Sequence, residues 1–205
     1  MSGGKEYTFL APGYDALFEP LLKRMRETIV DMIPPQSRVL EVACGTGAQA
    51  VRLRRIDSEY TGVDLSADML SRARRKNVNC HAADGSDLPY NGGEFDAATI
   101  SLALHEMDPE MRNSVMRELT RVLRPGGLLI VADYTFPAPG TRFGALFKAG
   151  IHLIERIAGG SHYRNYRHFM ATGGLRSYLG RFETPILDEE PFFRGNIAVV
   201  KLRRP

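Results

Sequence analysis

The sequence has only two cysteines, Cys44 and Cys80, and their separation does not match the spacing of a metal site. We therefore expect reduced thiols and a cytoplasmic location. No apolar run approaches eighteen residues, so no transmembrane segment is predicted, although peripheral contact with a membrane stays open. The stretch MSGGKEYTFLAPGYD also lacks the basic and apolar regions of a signal peptide.

An excess of charge of one sign is also nearly absent. The chain has 27 Lys and Arg residues and 24 Asp and Glu residues, which gives a formal net charge of +3. So small an excess does not indicate nucleic-acid binding, and no nucleic-acid partner is expected. The 205 residues, 43% apolar and 25% charged, contain no internal repeat and suit a single globular domain.

The stretch VLEVACGTG, residues 39–47, has the pattern of a nucleotide-binding turn. Its alternating apolar residues predict a buried strand, and its glycines precede a helical segment. Gly45 and Gly47 allow a sharp turn and a close approach of the backbone to a ligand. Asp64 follows a second predicted strand about twenty residues later, a position suited to accepting hydrogen bonds from ribose hydroxyls. We therefore expect the adenosine half of a cofactor here.

These glycines leave two cofactors open. Gly45, Gly47 and Ala50 also satisfy the GxGxxG/A dinucleotide fingerprint, so a nicotinamide cofactor is one possibility. Glu41 lies just before the loop, where its negative charge would oppose a pyrophosphate and would suit the positive centres of S-adenosylmethionine (SAM). Asp84, in HAADGSDLP after a third predicted strand, is positioned to accept from an adenine amino group. Three acids after three strands favour SAM.

The order of these motifs resembles that of the class I SAM-dependent methyltransferases. VLEVACGTG, GVDLSADML, AADGSDLPY, FDAATISLALHEM and RVLRPGGLLIVADY follow one another with the approximate spacing of that family, over about residues 38–135. Within the family, the chain is similar to the ubiquinone/menaquinone biosynthesis methyltransferases and their relatives, whose members act on small molecules or lipids. The resemblance implies SAM as cofactor and S-adenosylhomocysteine as product.

The resemblance also implies a fold and a set of cofactor contacts. The expected fold is a Rossmann-like doubly wound α/β sheet of seven strands, in the order 3-2-1-4-5-7-6 with one antiparallel strand and helices on both faces. Tyr14 is expected to reach the methionine carboxylate or to pack at a helix start, and Leu65 to cover adenine or to join the core. The full expected cofactor-binding set is Tyr14, Glu41, Ala43, Gly45, Gly47, Asp64, Leu65, Met69, Asp84, Gly85 and Ser101.

The predicted elements divide this single domain, residues 1–205, into four parts. They are an N-terminal helical cap (1–37), a cofactor-binding core (38–135), an acceptor-side lid and loop (136–180) and C-terminal strands (181–205). In the cap, apolar residues at helical spacing predict a helix from Tyr14 to about Met32, which ends before Pro34. In the core, RPGG at residues 124–127 is predicted as a tight turn before the fifth strand.

Acceptor specificity is expected after the fifth strand. Residues 136–160 predict an amphipathic helix, either a lid over an apolar or lipid-like acceptor or a helix that covers the sheet. SHYRNYRHF is predicted as a loop that holds an anionic acceptor through its arginines or packs on the sheet with its polar ends in water. Its candidate substrate-binding residues are His162, Tyr163, Arg164, Tyr166 and Arg167.

The expected chemistry is in-line transfer of the sulfonium methyl group, which requires alignment and exclusion of water but neither a metal nor a covalent intermediate. A hydroxyl or acidic carbon acceptor needs a base, whereas a nitrogen acceptor needs none. His105, in ALHEM after the fourth strand, is the first candidate for that base, and its alternative is a histidine that only shapes the pocket. Tyr134 and Glu106 are weaker candidates.

Three function classes stay open at this point. The first is a SAM-dependent methyltransferase for a small-molecule or lipid-like acceptor, methylated on oxygen, nitrogen or carbon. The second is a nicotinamide-dependent oxidoreductase, and the third is a SAM-binding protein without catalytic turnover. Oligomeric state is open in all three.

Overall fold

The computed structural model describes residues 14–138 and 160–205 together with Arg156, and it describes the side chains from residue 22 onward. Most of the predicted lid helix, and the side chain of Tyr14, lie outside the described residues. Within the described ranges, no helix combines the length and the apolar character needed to cross a membrane.

One sheet organises the molecule. Its strands, in chain order, are β1 (Arg38–Val42), β2 (Glu59–Asp64), β3 (Cys80–Ala82), β4 (Phe95–Ser101), β5 (Leu123–Tyr134), β6 (Ile186–Phe192) and β7 (Ile197–Arg203). Their spatial order is β3-β2-β1-β4-β5-β7-β6. The first five strands are parallel, and β7 runs antiparallel to both β5 and β6. The predicted order and its single antiparallel strand are therefore confirmed.

The central strands are buried on both faces, which explains their composition. β4 and β5 carry almost continuous runs of Ala, Ile, Val and Leu, and most of these side chains are inaccessible to solvent. Such runs are typical of parallel strands that are covered by helices on each side. By contrast, β6 lies at the edge and its sequence ILDEEPF is largely exposed.

Helices separate the parallel strands, except between β3 and β4, where residues 83–94 form no helix. They are α1 (Tyr14–Asp31), α2 (Ala48–Leu53), α3 (Ala67–Arg75), α4 (Pro109–Val122), α5 (Gly160–Ala171) and α6 (Gly174–Leu179). The Ser66 hydroxyl accepts from the Met69 N–H at 3.3 Å and caps α3, as predicted. The Asp108 carboxylate caps α4 by accepting from the Met111 N–H at 2.9 Å. Each cap satisfies a main-chain donor that the helix leaves unpaired.

One local prediction is wrong. SHYRNYRHF is not a loop, because it forms most of α5, which ends before Gly173 and Gly174. RPGG lies within the bounds of β5 but as an irregular segment, since the pairing with β4 jumps there from Phe95–Leu123 to Ala97–Leu128 and Gly126 has a φ of 74°. There the Gly126 N–H donates to the Arg204 carbonyl at 3.1 Å, and the Arg204 N–H donates to the Gly127 carbonyl at 2.9 Å. The distant end of the chain thus continues the strand pairing.

The parallel strands β1 to β5 place their carboxyl ends at one edge of the sheet. From β1, the chain adds β2 and β3 on one side of the sheet and then β4 and β5 on the other side. The strand order therefore reverses between β1 and β4. Ligands of open α/β sheets bind at such a reversal, outside the carboxyl ends of the strands. Gly45, Asp64, Asp84 and Ser101 lie at or just after these strand ends, as does His105, so the fold gathers them at one edge.

Candidate active site

The loop after β1 keeps an open side toward this edge. Ala43, Gly45 and Gly47 have positive φ angles of 58°, 54° and 70°. A Cβ on Gly45 would meet no atom of the described residues within 4 Å, whereas a Cβ on Gly47 would lie 2.7 Å from the Val78 side chain. Gly47 is therefore required for packing, and Gly45 leaves space beside the loop. Ala43 tolerates a left-handed conformation that costs an L-residue about 1–2 kcal/mol.

Asp64 ties this loop to the end of β2. One carboxylate oxygen accepts from the Gly45 N–H at 2.7 Å, and the other accepts from the Ser66 N–H at 2.8 Å. Burial raises the pKa of Asp64 above its ordinary value, although these two N–H groups act in the opposite direction. Each oxygen keeps further acceptor capacity for a ligand hydroxyl. Leu65 is 63% exposed beside it, so it does not join the core.

Glu41 lies beneath the loop. It is 2% exposed, and the Tyr60 hydroxyl donates to its carboxylate at 2.5 Å. Burial raises the pKa of Glu41 to about 8, in spite of the hydrogen bond from Tyr60. Glu41 is therefore largely protonated at neutral pH in the free protein, and it carries little of the charge that would repel a pyrophosphate. A cation brought close to it would favour the ionised form.

The end of β3 supplies a second polar turn. The Asp84 carboxylate is exposed and accepts from the N–H of Ser86 at 2.8 Å and from its hydroxyl at 2.7 Å. Gly85 is buried, and a Cβ there would lie 2.6 Å from the Val42 side chain. The absence of a side chain at Gly85 therefore lets the Asp84 turn approach the end of β1.

The residues at this edge fit SAM. Gly45 leaves open space, Leu65 presents an exposed apolar side chain, and Asp64 and Asp84 present carboxylates at neighbouring strand ends. The buried hydroxyl of Ser101, at the end of β4, has no hydrogen-bond partner among the described residues. Buried polar atoms are nearly always paired, so this hydroxyl points to a ligand. Met69, by contrast, is buried in α3.

His105 stands on a one-turn 3-10 helix, Leu104–Glu106, directly after β4. It is 2% exposed, and its Nδ1 lies 2.7 Å from a carboxylate oxygen of Asp133, which is fully buried at the end of β5. Asp133 also accepts from the main-chain N–H groups of His105 at 3.2 Å and Tyr134 at 2.7 Å. Because a carboxylate only accepts, Nδ1 carries the hydrogen and Nε2 carries the lone pair.

Aromatic side chains surround His105. Its ring centroid lies 4.5 Å from that of Tyr134, 5.8 Å from that of His162 and 6.1 Å from that of Tyr166. Tyr163 stacks on Tyr166 with a centroid distance of 6.4 Å. α5 thus brings three of the five predicted substrate residues to His105 or its direct neighbours. We call the whole group the aromatic cluster: His105, Tyr134, His162, Tyr163 and Tyr166.

The other two predicted substrate residues do not join the aromatic cluster. Arg164 and Arg167 are exposed, whereas His162 and Tyr166 are buried. Arg164 lies two positions from both His162 and Tyr166, and Arg167 lies next to Tyr166. Because residues one and two positions apart lie on different faces of a helix, α5 directs the arginines away from these two buried side chains.

Two residues of the site were not predicted. Asp133 lies in VADY at the end of a buried parallel strand, and the strand-end signal that selected Asp64 applies equally to it. Arg112 is buried in α4, where nothing in the sequence marks it. Its guanidinium donates to the carbonyls of Leu104 at 2.8 Å and Met107 at 2.7 Å, and lies 4.5 Å over the Phe169 ring. Arg112 therefore holds the His105 turn against α5.

Comparison with known sequences identifies relatives of the whole central region. The methyltransferase domain family matches residues 39–127. The demethylmenaquinone methyltransferase of Corynebacterium kroppenstedtii is 33% identical over 138 residues, which cover 65% of this chain and 57% of that protein. The same enzyme of Corynebacterium efficiens is 34% identical over 152 residues, covering 74% and 63%. The chain thus spans less than two thirds of these relatives' length.

Solved structures share the fold. A SAM-dependent methyltransferase of Thermotoga maritima, described as a possible histamine N-methyltransferase, superposes with a TM-score of 0.69 at 18% identity, over 98% of this chain and 99% of that one. A geranyl diphosphate methyltransferase in complex with SAM gives a TM-score of 0.63 at 17% identity, over 95% and 91%. At such low identity the likeness concerns the fold alone.

Proposed function

The chain belongs to the class I SAM-dependent methyltransferases, and from this membership we propose that it transfers the methyl group of SAM to a small quinol-like acceptor. The observation that carries the proposal is the position of the His105–Asp133 pair. It lies at the ends of β4 and β5, at the same sheet edge as the glycine loop and Asp64. Cofactor and acceptor would therefore meet at neighbouring strand ends.

We assign cofactor binding to residues of the strand ends. Asp64 accepts from ribose hydroxyls, Leu65 covers one face of the adenine, and Asp84 accepts from the adenine amino group. Gly45 keeps the space beside the loop open, and the Ser101 hydroxyl finds its partner in the ligand. When bound, SAM supplies a methyl group on a sulfonium, which is already a strong electrophile.

The lining of the acceptor side supports a flat aromatic acceptor. Tyr134 and Tyr166 present their rings at 83° to one another, with centroids 5.5 Å apart, and such rings pack well against another aromatic ring. The names of the bacterial relatives, demethylmenaquinone methyltransferases, favour the same class of acceptor. We therefore propose a quinol-like ring rather than an aliphatic amine.

Activation of the acceptor is assigned to His105 with its neighbours Asp133, Glu106 and His162. A quinol-like acceptor must lose a proton when its carbon or oxygen is methylated, whereas an amine can react through its free lone pair. A buried histidine held in one orientation by a carboxylate suits the first case. The role of Tyr134 in this account is to pack against His105 and to orient the acceptor.

An assay with isotopically labelled SAM tests this proposal. Demethylated naphthoquinols and aliphatic amines are incubated in parallel with the wild-type chain and with a His105→Gln variant, and products are identified by mass spectrometry. We expect the wild type to methylate a naphthoquinol and His105→Gln to bind SAM normally but to turn over slowly. Methylation of amines alone, or tight SAM binding without any methyl transfer, would contradict the proposal.

A further inference from the structure

Three side chains with metal-ligand atoms converge at the aromatic cluster. The ligand-type atoms of His105, Glu106 and His162 all lie within 4.8 Å of one another. His105 Nε2 is 3.8 Å from one carboxylate oxygen of Glu106, and His162 Nδ1 is 3.9 Å from the other. Two imidazole nitrogens and one carboxylate therefore face a common point.

The surroundings of His105 have the form that metal-binding histidines usually show. A histidine that binds a metal through one ring nitrogen almost always donates the other N–H to a carboxylate or carbonyl. Here Nδ1 is held at 2.7 Å by the fully buried Asp133, so Nε2 is the nitrogen that faces Glu106. This arrangement fixes both the tautomer and the orientation of the ring.

The three residues are also held by independent contacts. The turn that carries His105 and Glu106 is bound by Arg112 on both sides, through Leu104 and Met107. The Asn165 amide on α5 donates to the Glu106 carbonyl at 2.7 Å, which ties the helix of His162 to the same turn. A preorganised ligand set of this kind loses little conformational freedom when an ion binds.

We propose that His105, Glu106 and His162 form a binding site for a divalent transition-metal ion, with zinc the ion that the ligand set fits best. A His₂Glu set with a fourth, open position is a pattern of catalytic zinc sites. Tetrahedral zinc separates its ligand atoms by about 3.4 Å. The two N···O distances of 3.8 and 3.9 Å would therefore shorten by roughly half an ångström, and the spread of up to 4.8 Å among the ligand atoms would shorten further when an ion binds. Glu106 is 27% exposed, which leaves an entry path from solvent.

The fourth position deepens the proposed function and rests on it. An acceptor hydroxyl bound there would lose its proton to water as its oxygen binds the metal, because a divalent ion lowers the pKa of a coordinated hydroxyl. His105 would then act as a ligand through Nε2. The metal would lower the pKa of the acceptor hydroxyl, and water, in place of a free imidazole, would accept the proton.

Cobalt(II) is the probe for this site, because it takes the place of zinc and absorbs visible light. The full chain without a histidine tag is treated with a chelator, dialysed and titrated with Co(II), while SAM binding and circular dichroism are recorded on the same samples. The variants are Glu106→Gln and His162→Gln. The matched control is His168→Gln, which alters an exposed histidine of the same helix.

We expect the wild type and His168→Gln to bind about one equivalent of Co(II) with the strong d–d bands of a tetrahedral site. Glu106→Gln and His162→Gln should lose more affinity than the roughly 10–100-fold that is typical when an outer-shell partner is lost. Absent d–d bands, unchanged Co(II) affinity in both variants, or a thiolate charge-transfer band from Cys44 or Cys80 would overturn the proposal. A wild-type chain that binds no Co(II) but binds SAM and transfers methyl normally would overturn the metal site and leave the proposed function standing.

Discussion

The cofactor side and the acceptor side of the same sheet edge are built in different ways. On the cofactor side, at the ends of β1 and β2, most contacts involve the main chain. The Asp64 carboxylate accepts from two backbone N–H groups, and Gly45 and Gly47 shape the loop. On the acceptor side, side chains from β4, β5 and α5 meet each other, as in the His105–Asp133 pair. In our proposal the first region binds the cofactor and the second binds the acceptor.

This difference predicts that the two regions can be damaged separately. Changes in the loop should remove cofactor binding and leave the aromatic cluster intact, whereas changes in the cluster should slow turnover and leave SAM affinity unchanged. Mutations that affected both regions equally would break the comparison.

The largest effect is expected from Gly45→Val, which should remove detectable SAM binding in a calorimetric titration. The new side chain would occupy the open space beside the loop, where no atom of residues 22–138 or 160–205 lies within 4 Å of a Cβ. Gly126→Val is the matched control, because Gly126 also has a positive φ, of 74°, and also has no atom within 4 Å of a Cβ. Equal loss of SAM binding in both variants would show that strain, and not obstruction, is responsible.

Asp133→Asn is expected to lower turnover by roughly 10²–10⁴-fold, the range over which proton-transfer catalysis typically contributes. The amide can no longer accept from both His105 and the main chain without presenting its NH₂ group to another donor. SAM affinity should change little, and circular dichroism should report a folded chain. Asp188→Asn on the exposed strand β6 is the control. A large loss of SAM affinity in Asp133→Asn would join the two regions that we treat as separate.

Asp64→Ala is expected to weaken SAM binding by roughly 1.5–3 kcal/mol, the scale of a lost hydrogen bond to a charged group. Both the ribose contact and the tie between β2 and the loop disappear in this variant. Asp68→Ala, an exposed acid in the first turn of α3, should bind SAM as the wild type does. Unchanged SAM affinity in Asp64→Ala would contradict the proposal that Asp64 accepts hydrogen bonds from the ribose hydroxyls.

The smallest effect concerns the pH dependence of SAM binding through Glu41. The pKa of Glu41 is about 8 in the free protein, so Glu41 is mostly protonated below that pH. If the cation binds beside the ionised form, SAM affinity rises with pH by up to about tenfold per unit and levels off above pH 8. Glu41→Gln should flatten this profile. A wild-type profile that falls with pH, or a slope that persists in Glu41→Gln, would separate Glu41 from the cofactor.

The same pKa affects folding with the opposite sign. In the unfolded chain Glu41 loses its proton near its ordinary pKa of 4.5, whereas in the folded chain it keeps the proton up to about pH 8. Through this group, the free energy of unfolding therefore falls as pH rises from about 4.5 to about 8 and then stays constant. Urea titrations of wild type and Glu41→Gln across that window measure the contribution.

The cofactor side could be predicted from the sequence because its determinants are local. VLEVACGTG contains the strand, the turn and the glycines in one continuous stretch, and Asp64 follows the next strand at the expected separation. The order of the sheet followed from the resemblance to a family. The pattern of strands and helices then predicted where the strands before Asp64 and Asp84 end.

The acceptor side was harder because its contacts join distant segments. α5 was missed because its buried face is formed by His162, Tyr166 and Phe169, and two of these residues are polar enough to weaken the apolar periodicity. The glycines of RPGG predict a turn, but its inclusion in β5 depends on hydrogen bonds with Arg204, which is distant in the sequence. The raised pKa of Glu41 could not be predicted from the sequence either, because it depends on how completely the carboxyl group is buried.

The most direct test of the account is a calorimetric titration of the cofactor-stripped chain with SAM, S-adenosylhomocysteine and NADH in parallel. Assignment of the strand-end edge to SAM predicts tight binding of the first two ligands and none of NADH, with SAM binding lost in Gly45→Val and retained in Asp133→Asn. Binding of NADH in place of SAM, or loss of SAM binding in Asp133→Asn with the fold intact, would contradict it.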